Sequence, residues 1–183
     1  EINEFANVHF GDLGGFKDGS TVRGCGIVTA VKRKIDKRNN TMAFVGIEDF
    51  SGKAECIVFS DPFAKFQQHL QPDAMVMVIG KGECNGDTLK LLVNEVYPLE
   101  SVREKFTRNI ILSINVNDVQ ENTIVQLREL MERNRGNCPC FLNVTDAATT
   151  RVYQTRKFHV GASETFLREV RKMLGPRSVR CTA

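Results

Sequence analysis

The sequence predicts an α+β, mostly β protein in which a five-stranded barrel precedes a small domain of order β-α-β-β-α-β. Two observations predict the barrel: residues 41–60 alternate in character around a polar turn, and residues 21–98 contain three strands, a helix and two strands. The pattern of residues 99–183 predicts the second domain. A chain of 183 residues with 42% hydrophobic side chains is long enough to bury two small cores.

The predicted hairpin of residues 41–60 has one wholly apolar face. Its strands flank Asp49-Phe50-Ser51-Gly52, and Asp, Ser and Gly favour tight turns. If Glu48 lies opposite Lys53, alternation places only compact apolar residues on one face. That face consists of Ala43, Val45, Ile47, Ala54, Cys56 and Val58. The other face mixes aromatic, aliphatic and charged groups, so it is the face that we expect to bind a ligand.

The elements around the hairpin complete the barrel. Residues 21–35 form a long strand in which Gly24 and Gly26 predict a bulge or bend, so that the strand serves both halves of the barrel. Asp61-Pro62 predicts a helix capped by Asp61, because Asp favours the N-cap and Pro the first helical position.

Two further strands follow, at residues 74–84 and 88–97, around the turn Asn85-Gly86-Asp87. A five-stranded barrel with a helix between its third and fourth strands is an OB-fold, which uses strands 2 and 3 and its 1–2 and 4–5 loops to bind oligonucleotides. We therefore assign residues 21–98 to an OB-fold domain that binds nucleic acid.

The flanking regions are assigned from composition and periodicity. Residues 1–20 are predicted to lead in from a preceding domain, and three apolar side chains are expected to pin this segment to the barrel: Phe10, Leu13 and Phe16. Residues 99–183 begin with a charged separator and contain two amphipathic helices, the second capped by Ser163. Their order predicts a ferredoxin-like split β-α-β domain.

Basic residues cluster beside the mixed face of the hairpin. Residues 31–40 carry five cations and one carboxylate, Asp36, and an aromatic ring with nearby cations is typical of single-strand binding. Each of these residues also has an alternative role. The cations could simply solvate a loop, and Phe44 could pack beneath that loop. Phe59 could be covered by the following helix, and Glu55 either contacts a base amine or reduces the positive charge of the patch. The predicted nucleic-acid-binding residues are Lys32, Arg33, Lys34, Lys37, Arg38, Phe44, Glu55, Phe59 and Lys90.

Catalytic motifs are absent from the sequence. It contains no glycine-rich phosphate loop, HExxH or nucleophile elbow, and its three histidines are scattered. Cys138-Pro-Cys140 lacks the second Cys/His pair of a zinc site. We expect no catalytic residue, metal or cofactor, free thiols in a reducing cytoplasm, and no membrane association.

Three stretches carry a resemblance to a known family: GCGIVTAVKRKI, TMAFVGIEDFSGKAECIVFSD and KLLVNEVYPLE. They resemble the C-terminal region of the bacterial replicative DNA polymerase III alpha subunit, whose OB domain is of the anticodon-binding type. In such domains the residue matching Phe44 stacks on a base and that matching Glu55 contacts one. The chain departs from relatives of this type at Glu55, where many synthetases have Gln, and at Phe50, where many have Arg.

The resemblance implies a division of labour. The OB domain is expected to contact single-stranded DNA template, the last domain to dock the clamp-loader tau subunit among the other holoenzyme subunits, and the polymerase carboxylates to lie upstream. Two alternatives remain open at this point: a tRNA-binding appendage of an aminoacyl-tRNA synthetase, and a small thiol enzyme that uses Cys138 and Cys140.

Overall fold

A computed structural model describes residues 4–86, 88–147 and 149–183. The chain divides into two compact units between Val102 and Arg103. The first contains β1 (Thr21–Ile35), β2 (Thr41–Glu48), β3 (Lys53–Val58), α1 (Ser60–Phe66), β4 (Met75–Asn85) and β5 (Thr88–Pro98). The predicted charged separator is a helix, α2 (Leu99–Phe106), and the boundary falls within it. The second unit continues with β6 (Asn109–Asn115), α3 (Glu121–Arg133), β7 (Arg135–Thr145), β8 (Thr150–Val160), α4 (Glu164–Leu174) and β9 (Val179–Thr182).

The first unit is a closed barrel of strand order β1-β2-β3-β5-β4, so the predicted OB-fold is confirmed. β1 pairs with β4 through Thr21 to Ile27 and with β2 through Ile27 to Ile35, and this double pairing closes the barrel. β3 and β5 lie parallel, whereas the other neighbours are antiparallel.

The hairpin has the predicted register, with Glu48 opposite Lys53. All six residues of the predicted apolar face are buried in the barrel core. Burying such side chains contributes roughly 0.8 kcal/mol for each methylene removed from water. The alternation of compact apolar residues therefore buries one face of the hairpin in the barrel and leaves the other face on the barrel surface.

The leading segment contributes apolar side chains to the barrel core, as predicted. Phe10 is fully buried, and Leu13 and Phe16 pack against the same cluster. A Cβ atom on Gly24 would lie 2.4 Å from the Phe10 ring, so this glycine makes room for the ring. The predicted bulge at the glycines is wrong, since the register of β1 shifts between Val28 and Ala30 instead.

Helix α1 begins one residue earlier than the predicted cap. Its first residue is Ser60, and the N-cap position is Phe59, which lacks a side chain able to accept a hydrogen bond. Asp61 lies inside the first turn, where its negative charge favours the positive end of the helix dipole. The predicted capping role of Asp61 is therefore wrong.

The turn between β2 and β3 is fastened to the leading segment by Asp49. Its carboxylate accepts hydrogen bonds from the backbone N–H groups of Phe10, Ser51 and Gly52 and from the Ser51 hydroxyl. Ser51 Oγ in turn accepts from the Gly11 N–H. Burial acts to raise the pKa of the Asp49 carboxyl, but these hydrogen bonds outweigh it and hold the pKa below its ordinary value of 3.8.

Acid should therefore weaken the fold through Asp49. Because the pKa is lower in the folded state, the carboxylate contributes stability above its unfolded pKa and loses it as the pH falls through the folded value. We expect Asp49→Asn to cost about 1–2 kcal/mol at neutral pH and to flatten the loss of stability below about pH 4. Urea unfolding at pH 7 and pH 3 measures both effects, with Asp12→Asn, at an exposed carboxylate of the leading segment, as the matched control. An equal pH dependence in Asp49→Asn and the unchanged protein would contradict the assignment.

The second unit is a four-stranded sheet of order β8-β7-β6-β9 with two helices. Fully buried strand residues share one face, as Ile110 lies opposite both Cys140 and Cys181. Helices α3 and α4 also bury side chains, among them Leu130 and Phe166. Ser163 caps α4 as predicted, since its hydroxyl accepts a hydrogen bond from the Phe166 N–H.

The predicted ferredoxin-like arrangement is not confirmed. The element order β-α-β-β-α-β is present, but β6 and β7 are adjacent and parallel. A split β-α-β unit would place another strand between them. Here β8 pairs outside β7 as the second arm of a hairpin, which leaves β8 at one edge of the sheet.

No helix among the described residues is long and apolar enough to cross a membrane.

Candidate nucleic-acid interface

The outer face of the barrel carries Phe44 in a row that crosses four strands. Strand pairing places Lys32, Phe44, Ile57 and Leu92 side by side, from β1 through β2 and β3 to β5. The three apolar members are half-buried and Lys32 is exposed. Because opposed residues in a sheet point to the same side, the row forms a continuous apolar strip that ends in a cation.

Cations flank the Phe44 ring on the β1 side. Lys32 is the direct cross-strand neighbour of Phe44, and the Lys34 ammonium lies 5.1 Å from the ring centroid. This distance is within the range of a cation–π contact. The ring is thus held beside positive charge and keeps part of its surface open to solvent.

The loop between β1 and β2, residues 36–40, is shaped by Asp36, which holds the backbone of the predicted binding residue Arg38 and of Asn40 in place. Its carboxylate accepts hydrogen bonds of 2.8 Å from the backbone N–H groups of Arg38 and Asn40. The backbone hydrogen bond from Asn40 is the main effect that lowers the pKa of the Asp36 carboxyl. Asn39 occupies the left-handed region at φ 62°, a conformation that asparagine tolerates. The loop therefore presents the exposed Lys37 and Arg38 side chains from an ordered turn.

Glu55 and Lys90 lie together near the middle of the face. Glu55 is opposite Gly46 on one side and Lys90 on the other, and both side chains are half-buried. Among the described residues, none forms a hydrogen bond or ion pair with the Glu55 carboxylate. A Cβ atom on Gly46 would lie 2.7 Å from the Thr29 hydroxyl oxygen, so the absence of a side chain here keeps the centre of the face shallow.

Two other predicted binding residues, Phe59 and Arg33, lie away from the row that contains Phe44. Phe59 is the N-cap residue of α1, directly after β3, and is 51% exposed, so the helix leaves about half of its surface open to solvent. Arg33 lies opposite the inward-facing Ala43, and its guanidinium carbon is 5.8 Å from the Phe63 ring centroid. Arg33 therefore lies on the other side of the strand from Phe44, because strand alternation turns it away, and its predicted role in binding stays a prediction.

Sequence reasoning missed two positions. Leu92 completes the apolar strip, and Lys81 lies opposite it on β4. Leu92 could have been predicted, because it lies two residues after Lys90 and strand alternation places both on the same face. Lys81 required the β4–β5 register, which no local pattern specifies. The predicted turn residue Asp87 lies outside the described residues.

The cysteines do not form a thiol site. No disulfide links the six cysteines, which all lie among the described residues, and Cys138 and Cys140 are buried. Burial raises the pKa of the Cys138 thiol, and it raises that of Cys140 to about 12. A thiol enzyme needs an accessible thiolate at neutral pH, so this geometry disfavours that alternative.

Comparison with known families supports the assignment of the barrel. Residues 22–99 match the family of OB-fold nucleic acid binding domains. The match begins and ends within two residues of the barrel strands.

The whole chain is similar to one group of curated proteins. DNA polymerase III subunit alpha of Pseudomonas fluorescens is 29% identical over 98% of the chain, and that of Escherichia coli K12 is 27% identical over 98%. The protein of the same name from Neisseria meningitidis serogroup A is 31% identical over 92% of the chain. The chain spans only 15–16% of the length of these relatives.

Solved structures similar to the chain include two crystal forms of the mitochondrial single-stranded DNA binding protein Rim1 from S. cerevisiae. Each match covers 45% of this chain and 97% of the Rim1 chain. They have TM-scores of 0.38 and 0.37 and sequence identities of 18% and 19%.

Proposed function

We propose that this chain is a non-catalytic C-terminal region of a bacterial DNA polymerase III alpha subunit, whose barrel binds single-stranded DNA template. One observation carries the proposal: Phe44 is half-exposed at the centre of the outer face, with Lys32 opposite it and Lys34 against its ring. In this proposal, polymerase chemistry and any cofactor belong to the remainder of the alpha subunit. The subunit works in the bacterial cytoplasm.

The proposed binding mode follows from the chemistry of these groups. A base stacks on the Phe44 ring, while Lys32, Lys34, Lys37 and Arg38 neutralise successive phosphates. Every base offers a stacking surface, so sequence selectivity is weak. A duplex hides its base faces and cannot make the same contact. Glu55 accepts a hydrogen bond from a base amine, which adds a modest preference for bases that carry one.

Competition binding tests this proposal. In fluorescence anisotropy with a labelled DNA oligonucleotide, unlabelled single strands of any sequence should compete well and duplex poorly. Affinity should fall with salt along a log-log slope of about 0.7 for each phosphate contact. Strong preference for an RNA anticodon loop would instead favour the synthetase appendage. Equal competition by duplex would contradict the stacking model.

We further propose that the second unit docks the tau subunit of the clamp loader. The proposal rests on the resemblance and on a basic stretch comprising Arg168, Arg171, Lys172, Arg177 and Arg180. Isothermal titration of tau should show binding to the full chain and none to a fragment ending at Val102, the last residue of the first unit. Equal binding by that fragment would contradict docking through the second unit.

A further inference from the structure

We propose that the free edge of β8 in the second unit binds an extended, acidic segment of a partner protein by strand addition. In this mode the segment aligns beside β8 and forms main-chain hydrogen bonds with it. The inference rests on the proposed docking function and adds the place on the second unit, the conformation of the bound segment and its charge.

The edge is long and uncovered. β8 is the terminal strand of the sheet in the described part of the chain, and every residue from Thr150 to Gln154 is exposed. Val152 is 65% and Tyr153 is 48% exposed, although successive strand residues point to opposite faces. Neither face of this part of the strand is therefore covered. An exposed strand edge with apolar side chains is a template for pairing with another chain.

The direction of the backbone groups follows from one hydrogen bond on the neighbouring strand. The Thr145 carbonyl accepts from the Val116 N–H beyond the end of β6, so the backbone groups of Thr145 point towards β6. Alternation then turns those of Val144 and Leu142 towards β8.

The open edge consequently presents a regular set of donors and acceptors. The partners of Val144 and Leu142 on β8 are Arg151 and Tyr153, whose backbone groups are used in this pairing. The remaining three residues point their N–H and C=O groups away from β7. They are Thr150, Val152 and Gln154.

Charge selects the occupant. Between Thr150 and Val160, β8 carries Arg151, Arg156 and Lys157 and no carboxylate. The neighbouring strand β7 carries Arg135 and no carboxylate. An added strand would lie beside these two strands, whose charged side chains are all basic, so glutamate or aspartate side chains are favoured and lysine or arginine disfavoured.

The irregular end of β8 limits the length of the added strand. The pairing with β7 shifts between Phe141, opposite Gln154, and Pro139, opposite His159. The Thr155 hydroxyl donates within this irregular stretch, to the Cys140 or Phe158 carbonyl. Bulges of this kind disrupt pairing at a sheet edge. The regular edge therefore accommodates about five residues of a partner, given the usual strand spacing.

Amide hydrogen exchange of the full chain, followed by NMR, tests the proposal. The probe is a peptide of about eight residues in which valine and glutamate alternate. We expect it to slow exchange at the outward N–H groups of Thr150, Val152 and Gln154. The matched peptide with lysine in place of glutamate should have little effect.

Val152→Pro provides the decisive variant. It removes an outward N–H while leaving the pairing with β7 intact, and proline is tolerated at such edge positions. We expect an affinity loss of about tenfold for the probe, whereas Val152→Thr, which retains the N–H, should bind nearly normally. As a second variant, Arg151→Glu, which lies within the regular part of the edge, should reverse the preference in favour of the lysine peptide. This gain of binding cannot arise from unfolding.

Several outcomes would overturn the inference. They are protection away from the edge, no protection at all, equal binding of the lysine peptide, or equal protection of the same amides by a single-stranded oligonucleotide. If tau binds the unchanged chain and Val152→Pro equally, strand addition is wrong and docking stands. If tau binds neither while the glutamate peptide protects the edge, the tau assignment is wrong and the edge site stands.

Discussion

Replacing Phe44 with alanine is expected to weaken single-stranded DNA binding about 5- to 150-fold, which corresponds to about 1–3 kcal/mol for one stacked base. The ring is the aromatic centre of the outer face, with Lys32 opposite it and the Lys34 ammonium 5.1 Å away. The substitution removes stacking but no cation. The log-log salt slope measured by anisotropy should therefore remain nearly unchanged.

Phe50→Ala is the matched control for this experiment. Phe50 is fully exposed at the β2–β3 turn, beyond the end of the strand that carries Phe44. Its loss should leave DNA affinity unaltered. If Phe44→Ala lowers thermal stability while DNA affinity is unchanged, the ring belongs to the core and the proposed face is wrong.

Charge reversal in the 1–2 loop is expected to give a different signature. Lys37→Glu/Arg38→Glu removes two phosphate contacts, each of which is worth about fivefold in affinity at about 0.1 M salt, so the loss should reach about 25-fold. The log-log salt slope should flatten by about 1.4. Both side chains are exposed, and the Asp36 hydrogen bonds that shape the loop involve backbone groups of Arg38 and Asn40. The fold should therefore be preserved.

The control for charge is Lys17→Glu/Lys65→Glu. It makes the same change in net charge at exposed positions outside the barrel strands. A comparable loss of affinity in this variant would show that net charge, and not the loop, governs binding. An unchanged slope in Lys37→Glu/Arg38→Glu would exclude the loop from the phosphate path.

The hairpin of residues 41–60 illustrates what local sequence specifies. A slip of one residue would turn every side chain of a strand to the opposite face, so alternating compact apolar residues permit a single register. Glu48 accordingly lies opposite Lys53 as predicted. The turn, the core face and the position of Phe44 on the outer face all follow from that register.

Glycine placement shows where local reasoning was insufficient. Gly24 and Gly26 in β1 predicted a bulge or bend, since glycine within a strand often marks one. The register of β1 shifts between Val28 and Ala30 instead, and Gly24 admits the Phe10 ring, which comes from outside the strand. Only the tertiary structure identifies the side chain that occupies the space left by a missing Cβ.

The sequence by itself determined the order of the barrel elements, the inward face of the hairpin and the basic loop, because each depends on alternation or turn chemistry within a short stretch. Only the tertiary structure decided that Lys90 lies beside Glu55, that Arg33 turns towards Phe63, and that β6 and β7 pair directly. These results depend on pairing between strands that are distant along the chain. The energy of such pairing comes from packing and hydrogen bonds that no single segment contains.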